Sequence, residues 1–159
     1  MVERVGEEAY ERVREVRLRA LRDAPDAFAS TYEREIGMTP DQWRARFRPD
    51  AVTFLGRRDG ADVGIVSGIP HPEHSGDAAL VAMWVAPEAR GTGLGDALVA
   101  AVVDWARAGG HRRLRLDVAD VNEHAIRLYA RLGFVPTGAV STMPPPREHL
   151  TEHEQARDL

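Results

Sequence analysis

The run from Val81 to Leu98 constrains this chain more than any other segment. It opens as an apolar stretch through Val85 that reads as a buried strand, and it breaks at Pro87. Three glycines, Gly91, Gly93 and Gly95, then alternate with small or apolar residues before a helical pattern begins. A strand, a glycine turn and a helix start together make an anion site. The glycines admit a ligand close to the backbone, and the helix N-terminus supplies unpaired N–H groups at the positive end of its dipole. The expected ligand is a phosphate or pyrophosphate, and Arg90 adds a fixed positive charge at the mouth of the turn. A dinucleotide fold would instead carry G-x-G-x-x-G after its first strand, with an acid about 20 residues on. Here the spacing is G-x-G-x-G, past mid-chain. A triphosphate loop would need Gly-Lys-Ser/Thr, and the chain contains no lysine.

A second signal lies downstream. Leu114-Arg115-Leu116-Asp117-Val118 alternates as a strand, with Leu114, Leu116 and Val118 on one face. Asn122 then caps a helix in which Ala125, Ile126, Tyr129 and Leu132 share a stripe, and Gly133 stops it. The loop Arg90-x-x-Gly93-x-Gly95 resembles the pyrophosphate loop of the GCN5-related N-acetyltransferase (GNAT) family. The run N-x-x-A-x-x-L-Y-x-x-L-G-F from Asn122 to Phe134 matches the segment that packs beside the cofactor thiol in that family. A softer likeness extends to Arg17–Phe28, which is similar to the opening helix and loop of many bacterial members.

The resemblance covers nearly the whole chain and implies one domain over residues 1–159. It implies an α/β (α+β) fold, with a mixed, mostly antiparallel central sheet of about six to seven strands, helices on both faces and a splayed pair of middle strands. It also implies acetyl-CoA as acyl donor. In the family the pantetheine arm lies between the splayed strands on the backbone of the central one, which maps to Trp84, Val85 and Ala86. Pyrophosphate contacts map to Arg90, Gly91, Thr92, Gly93, Leu94 and Gly95, extending to Asp96 and Ala97. Asn122 maps to a cofactor-binding asparagine, and Tyr129 to the tyrosine whose hydroxyl protonates the leaving thiolate.

Composition sets the bounds around this reading. At 159 residues the chain can bury one substantial core. No apolar stretch is long enough to span a membrane, and no signal-peptide pattern opens the chain, so a cytoplasmic enzyme is expected. The absence of cysteine excludes a disulfide framework and a thiolate metal site, and no metal is expected. A net charge of −4 argues against nucleic acid as main partner. Arginine alone supplies the 21 basic residues, which reads as GC-rich codon usage in a bacterium.

The remaining pattern gives a strand at Val2–Val5, a helix over 7–22 ended by Pro25, and a loop or helical turn over 27–36. Thr39 and Pro40 open a helix running to about Arg48. Strands over 51–57 and 63–69 flank a hairpin turn at Asp59-Gly60. The central strand spans 78–86, and the helix over 93–108 buries Leu94, Leu98, Ala101, Val102 and Trp105. A short strand after Phe134, a proline-rich loop and a strand near 152–159 complete the sheet.

The chemistry requires a neutral amine, a grip on the thioester carbonyl and a proton for the thiolate. Without cysteine, and with no serine in an elbow motif, a direct attack in a ternary complex is expected. A backbone N–H at Val85 is the candidate for the carbonyl. Asp117 lies twelve residues before Tyr129, where peptide N-terminal acetyltransferases of the family carry a glutamate base. Being one methylene shorter, it would act through water, or it is a solvated strand residue. The His71-x-x-His74 pair reads as a solvent-facing loop, or instead as one that contacts the acceptor; Tyr32, Glu33 and Glu35 fall where family members close over the acceptor, or read as an exposed charged segment. The expected acceptor is a primary amine of a small molecule or an amino-acid-like compound. Peptide N-terminal acetylation and non-catalytic acyl-CoA binding are the alternatives. CoA, the acceptor and a second copy in a homodimer are the expected partners, with no nucleic acid and no membrane.

Overall fold

The computed structural model describes residues Met1–Leu159. Seven strands form one open sheet: β1 (Val2–Val5), β2 (Val52–Arg58), β3 (Ala61–Pro70), β4 (Ala78–Val85), β5 (Arg113–Ala119), β6 (Val135–Thr142) and β7 (Thr151–Asp158), in the order β1-β2-β3-β4-β5-β7-β6. Only β4 and β5 run parallel. Five helices accompany it: α1 (Tyr10–Asp23), α2 (Tyr32–Ile36), α3 (Pro40–Arg44), α4 (Leu94–Ala108) and α5 (Glu123–Arg131). No helix is long and apolar enough to cross a membrane. The expected hairpin forms, and Asp59 (φ 51°) and Gly60 (φ 79°) take the two left-handed positions that a tight turn between twisted strands requires.

One expected segment resolves between its alternatives, and one expected helix ends early. The 27–36 segment, open between loop and turn, contains α2, whose start is fixed by the Thr31 hydroxyl accepting from Arg34 N–H at 3.2 Å. The helix opened by Thr39 carries its capping box with Gln42 but stops at Arg44. Arg46 N–H returns to Trp43 and Phe47 N–H to Arg44, so the last turn tightens to three-residue spacing ahead of Pro49, which disfavours helix at Arg48.

α4 lies against one face of the sheet. A Cβ at Gly56 would stand 2.8 Å from Leu94, and one at Gly68 2.7 Å from Trp105, so bare backbone there lets the helix settle close. Its buried set is Leu94, Leu98, Val99, Val102, Val103 and Ala106, whereas Ala101 and Trp105 are only half-buried. The stripe is wider than expected because α4 touches every strand from β1 to β5.

α1 covers the other face and anchors α2 and α3 through one carboxylate. Glu35, 1 % exposed, accepts from Arg17 at 3.0 Å on both oxygens and pairs with Arg46 at 2.9 Å. This overturns the expectation of exposure for Glu35 alone, which two guanidiniums from α1 and the turn after α3 draw inward; Glu33 is exposed as expected. Arg147, in the β6–β7 loop, donates to the carbonyls of Pro25, Phe28, Ala29 and Ser30, fastening the loop after α1.

The middle of the sheet splays as expected. Ser67 faces Val81 and Ile65 faces Trp84, so Ala82 and Met83 together oppose Val66, and Ala82 sits at φ 58°. This bulge bends β4. β4 and β5 pair only at Ala78↔Leu114 and Ala79↔Arg115, below the bulge, and part above it.

Candidate active site

The parting of β4 and β5 opens a cleft of about 910 Å³, within the range that holds small-molecule ligands. The upper half of β4, the upper half of β5, the loop 23–27 after α1 and one side of α5 from His124 to Arg131 wall it, and the glycine turn stands at one end.

That end is a cradle of donors. The N–H groups of Gly91, Thr92, Gly93, Leu94, Gly95 and Asp96 donate to no protein acceptor, and Gly91 (φ 75°) and Gly93 (φ 88°) turn the backbone into it. Ala97 differs from its expected role, because its N–H closes the first helical turn on Gly93 O at 3.1 Å. The Asp96 side chain is bound to Arg131 at 2.7 Å, so only its amide faces an anion without repulsion. The Thr92 hydroxyl is used locally, on Ala89 O at 2.6 Å. A pyrophosphate fits this donor set: amides at a helix start, one nearby guanidinium and no unpaired carboxylate. A Cβ at Gly93 meets no protein atom within 4 Å, but a branched side chain at φ 88° is strained and would stand in the anion's path. Gly93→Val is therefore expected to weaken CoA binding at least tenfold by calorimetry. Normal CoA affinity in the folded variant would remove the pyrophosphate from this turn.

The expected backbone contacts on β4 resolve into one. Ala86 N–H donates to Val63 O at 2.8 Å on the β3 side, and its carbonyl accepts from Ala89, so Ala86 has nothing left to offer. Trp84 is paired with Ile65, and its indole N–H donates to Asp23 at 3.0 Å. Val85, one residue from each, turns its N–H and carbonyl toward the open edge by strand alternation. Its carbonyl there accepts Arg90 Nε at 3.1 Å.

Across the cleft, Asn122 caps α5 by accepting Ala125 N–H at 3.3 Å, which leaves its side-chain amide N–H groups uncommitted. Tyr129 is buried against Phe134, edge to face at 5.6 Å. Its hydroxyl, on the cleft wall, makes no protein hydrogen bond. Burial pushes that hydroxyl well above the usual phenol range, so it remains O–H at any working pH.

Asp117 lies on the cleft wall, opposite in face to Leu116 and Val118 as its alternation requires. Its register partner on β7 is Glu154, and Glu152 follows on the same face. Desolvation first, and then the neighbouring Glu154 carboxylate, hold the Asp117 carboxyl above the usual range; burial and Asp117 in turn raise Glu152. Glu154 is itself tied to Arg115 at 2.9 Å and to the Thr137 hydroxyl at 2.8 Å, and Arg115 also holds Asp77 at 2.8 Å. No local motif marks Glu152 or Glu154. Their placement beside Asp117 follows only from the antiparallel pairing of β5 with β7.

His71 is a correction. Its side chain is 13 % exposed, and Glu154 comes within 4.0 Å, so a third group joins the histidine pair. His71 Nδ1 accepts the amides of Glu73 and His74, both at 3.1 Å. The proton therefore resides on Nε2, pointing at Glu154, and that nitrogen has no lone pair for a metal. Burial and His74 lower its pKa, so the ring is a neutral donor at pH 7.

Comparison with known proteins bears on the family and the fold. A family model described as Acetyltransferase (GNAT) family matches residues 13–134. A mycothiol acetyltransferase of Thermomonospora curvata is 36% identical over 131 residues, covering 80% of this chain and 42% of that protein. A streptothricin acetyltransferase of Streptomyces lavendulae is 31% identical, covering 59% and 50% respectively. The chain thus spans two fifths to one half of the length of these relatives. Among solved structures, an N-acetyltransferase of Staphylococcus aureus superposes with a TM-score of 0.81 at 20% identity over 99% of this chain and 97% of that one. A Salmonella typhimurium protein solved with its cofactor acetyl-CoA superposes with a TM-score of 0.80 at 18% identity, over 100% and 93%.

Proposed function

This chain belongs to the acetyltransferase (GNAT) family, and from that premise we propose that it is an acetyl-CoA-dependent N-acetyltransferase acting on a primary amine of a small cationic molecule. The observation that carries the reading is the single cleft that joins the amide cradle of 91–96, the Tyr129 hydroxyl and the Asp117 carboxyl. Bound acetyl-CoA supplies an activated acyl thioester; the chain's own groups do the rest. Gly91–Asp96 amides hold the pyrophosphate, and Val85 N–H polarises the thioester carbonyl. The amine attacks that carbonyl as it gives a proton to Asp117, directly or through one water. The C–S bond breaks as the Tyr129 O–H passes its proton to the departing sulfur and is refilled through water, so that the proton the amine released balances the one the thiol gains and Tyr129 is again O–H. Asp117, Glu152 and Glu154 crowd like charges on one face, and a cationic acceptor relieves that repulsion.

A library of amines and short peptides screened with acetyl-CoA by thiol release tests this reading. The chain has no cysteine, so thiol signal comes from CoA alone. Turnover confined to peptides would replace the small-molecule acceptor, and CoA binding without any turnover would leave an acyl-CoA-binding module. The base carries a separate expectation. Asp117→Asn should slow the reaction about tenfold or more at neutral pH and recover as rising pH deprotonates the free amine. A variant that follows the wild-type pH profile throughout would return Asp117 to the strand surface.

A further inference from the structure

Arg90 was expected to reach the pyrophosphate, yet its guanidinium is bound inward. One NH2 group donates to Asp23 at 2.9 Å, and Nε donates to the Val85 carbonyl at 3.1 Å. Asp23, Val85 and Arg90 all line the cleft, so this side chain bridges from the end of α1 to the open edge of β4. Two of its bonds compete with an extended ligand arm lying on that edge. The Val85 carbonyl is the acceptor such an arm would use, and a diphosphate in the 91–96 cradle is a stronger partner for a guanidinium than one half-exposed carboxylate. A ligand seated on that edge and in that cradle would draw Arg90 off both partners. Asp23 then keeps its position, because the buried Trp84 indole still donates to it at 3.0 Å, and it loses its cation. Arg19, whose charge also reaches Asp23, is hydrogen-bonded to Glu88 at 2.6 Å and so leaves Asp23 with no bonded cation. Asp23 also begins the run Asp23–Ala27 that lines the cleft.

We infer that Asp23 is the counter-ion for a cationic group of the acceptor, masked by Arg90 until acetyl-CoA draws the guanidinium away. The inference rests on the acceptor reading above for its second half, and on the amide cradle for its first.

The test uses CoA calorimetry alongside steady-state kinetics with the best cationic amine of the library screen. Asp23→Asn keeps an acceptor for the Trp84 indole but no charge to hold Arg90. It should bind CoA about two- to fivefold more tightly, since an exposed ion pair no longer opposes binding, and its acceptor KM should rise about tenfold. Calorimetry of the wild type should show amine binding only when CoA is present, while Arg90→Gln should bind the amine without CoA. A role in folding alone would move none of these in the tightening direction. Equal or weaker CoA binding by Asp23→Asn, or an unchanged acceptor KM, overturns the inference. Failure of the wild type to acetylate any cationic amine would overturn the acceptor reading itself, and that result is visible before any variant is made.

Discussion

Tyr129→Phe should lower turnover about tenfold to a thousandfold while CoA affinity stays nearly constant. The substitution removes one oxygen that makes no protein hydrogen bond and keeps the ring that packs edge to face on Phe134 at 5.6 Å. Its melting temperature should therefore match the wild type, which separates chemistry from folding. Burial holds the hydroxyl in its protonated form, so the group is a permanent donor whose effect appears only as charge develops on sulfur. Calorimetry with CoA and maximal rates with any accepted amine measure the two halves. An unchanged maximal rate would take Tyr129 out of the mechanism.

Glu35→Gln should destabilise the fold by about 3 kcal/mol at pH 7, because it leaves two guanidiniums facing each other across a buried site. The Arg17 side chain is 11% exposed and cannot turn out to water without uncovering α1. Burial alone would raise the Glu35 carboxyl, but the Arg17, Ser30 and Arg46 partners outweigh it and hold the group below the usual range. A folded-state pKa below the unfolded one contributes stability above the unfolded value, near 4.3, and loses it as pH falls through the folded value. Urea melts of wild type and variant should thus differ most at neutral pH and converge as falling pH protonates Glu35 in the folded state, below its unfolded value. A constant difference across that range would mean that shape, not charge, sets the contribution of Glu35. A change in CoA affinity would show that the triad positions the cleft as well as the fold.

Local signals made the strand, glycine turn and helix from Val81 to Leu98 legible, because each of those elements is specified by its own residues. The cap at Asn122 and the stop at Gly133 were legible for the same reason. Positions set by partners distant in sequence were not. Ala86 and Ala97 looked available until β3 and the first turn of α4 took their amides. Glu35 reads as a surface residue until Arg17, eighteen positions earlier, and Arg46 close on it. Asp23 carries no motif, and its pairing with Arg90 spans 67 residues. His71 reads as solvent-facing because nothing near it in sequence announces Glu154. A pattern-based reading recovers backbone devices and misses charge pairs, since a carboxylate names no partner.

The extra residue in β4 gives the chain an evolutionary hinge of unusual economy. Ala82 carries a methyl group and no chemistry, yet removing that one codon would let Ser67–Ile65 pair with β4 without interruption. The ladder would straighten, Trp84 would keep its side of the sheet, and every proposed functional side chain would survive. What would vanish is the gap itself. A lineage could thus pass from catalyst to inert scaffold, or back, by a three-nucleotide length change at a position that no inventory of reactive groups would flag.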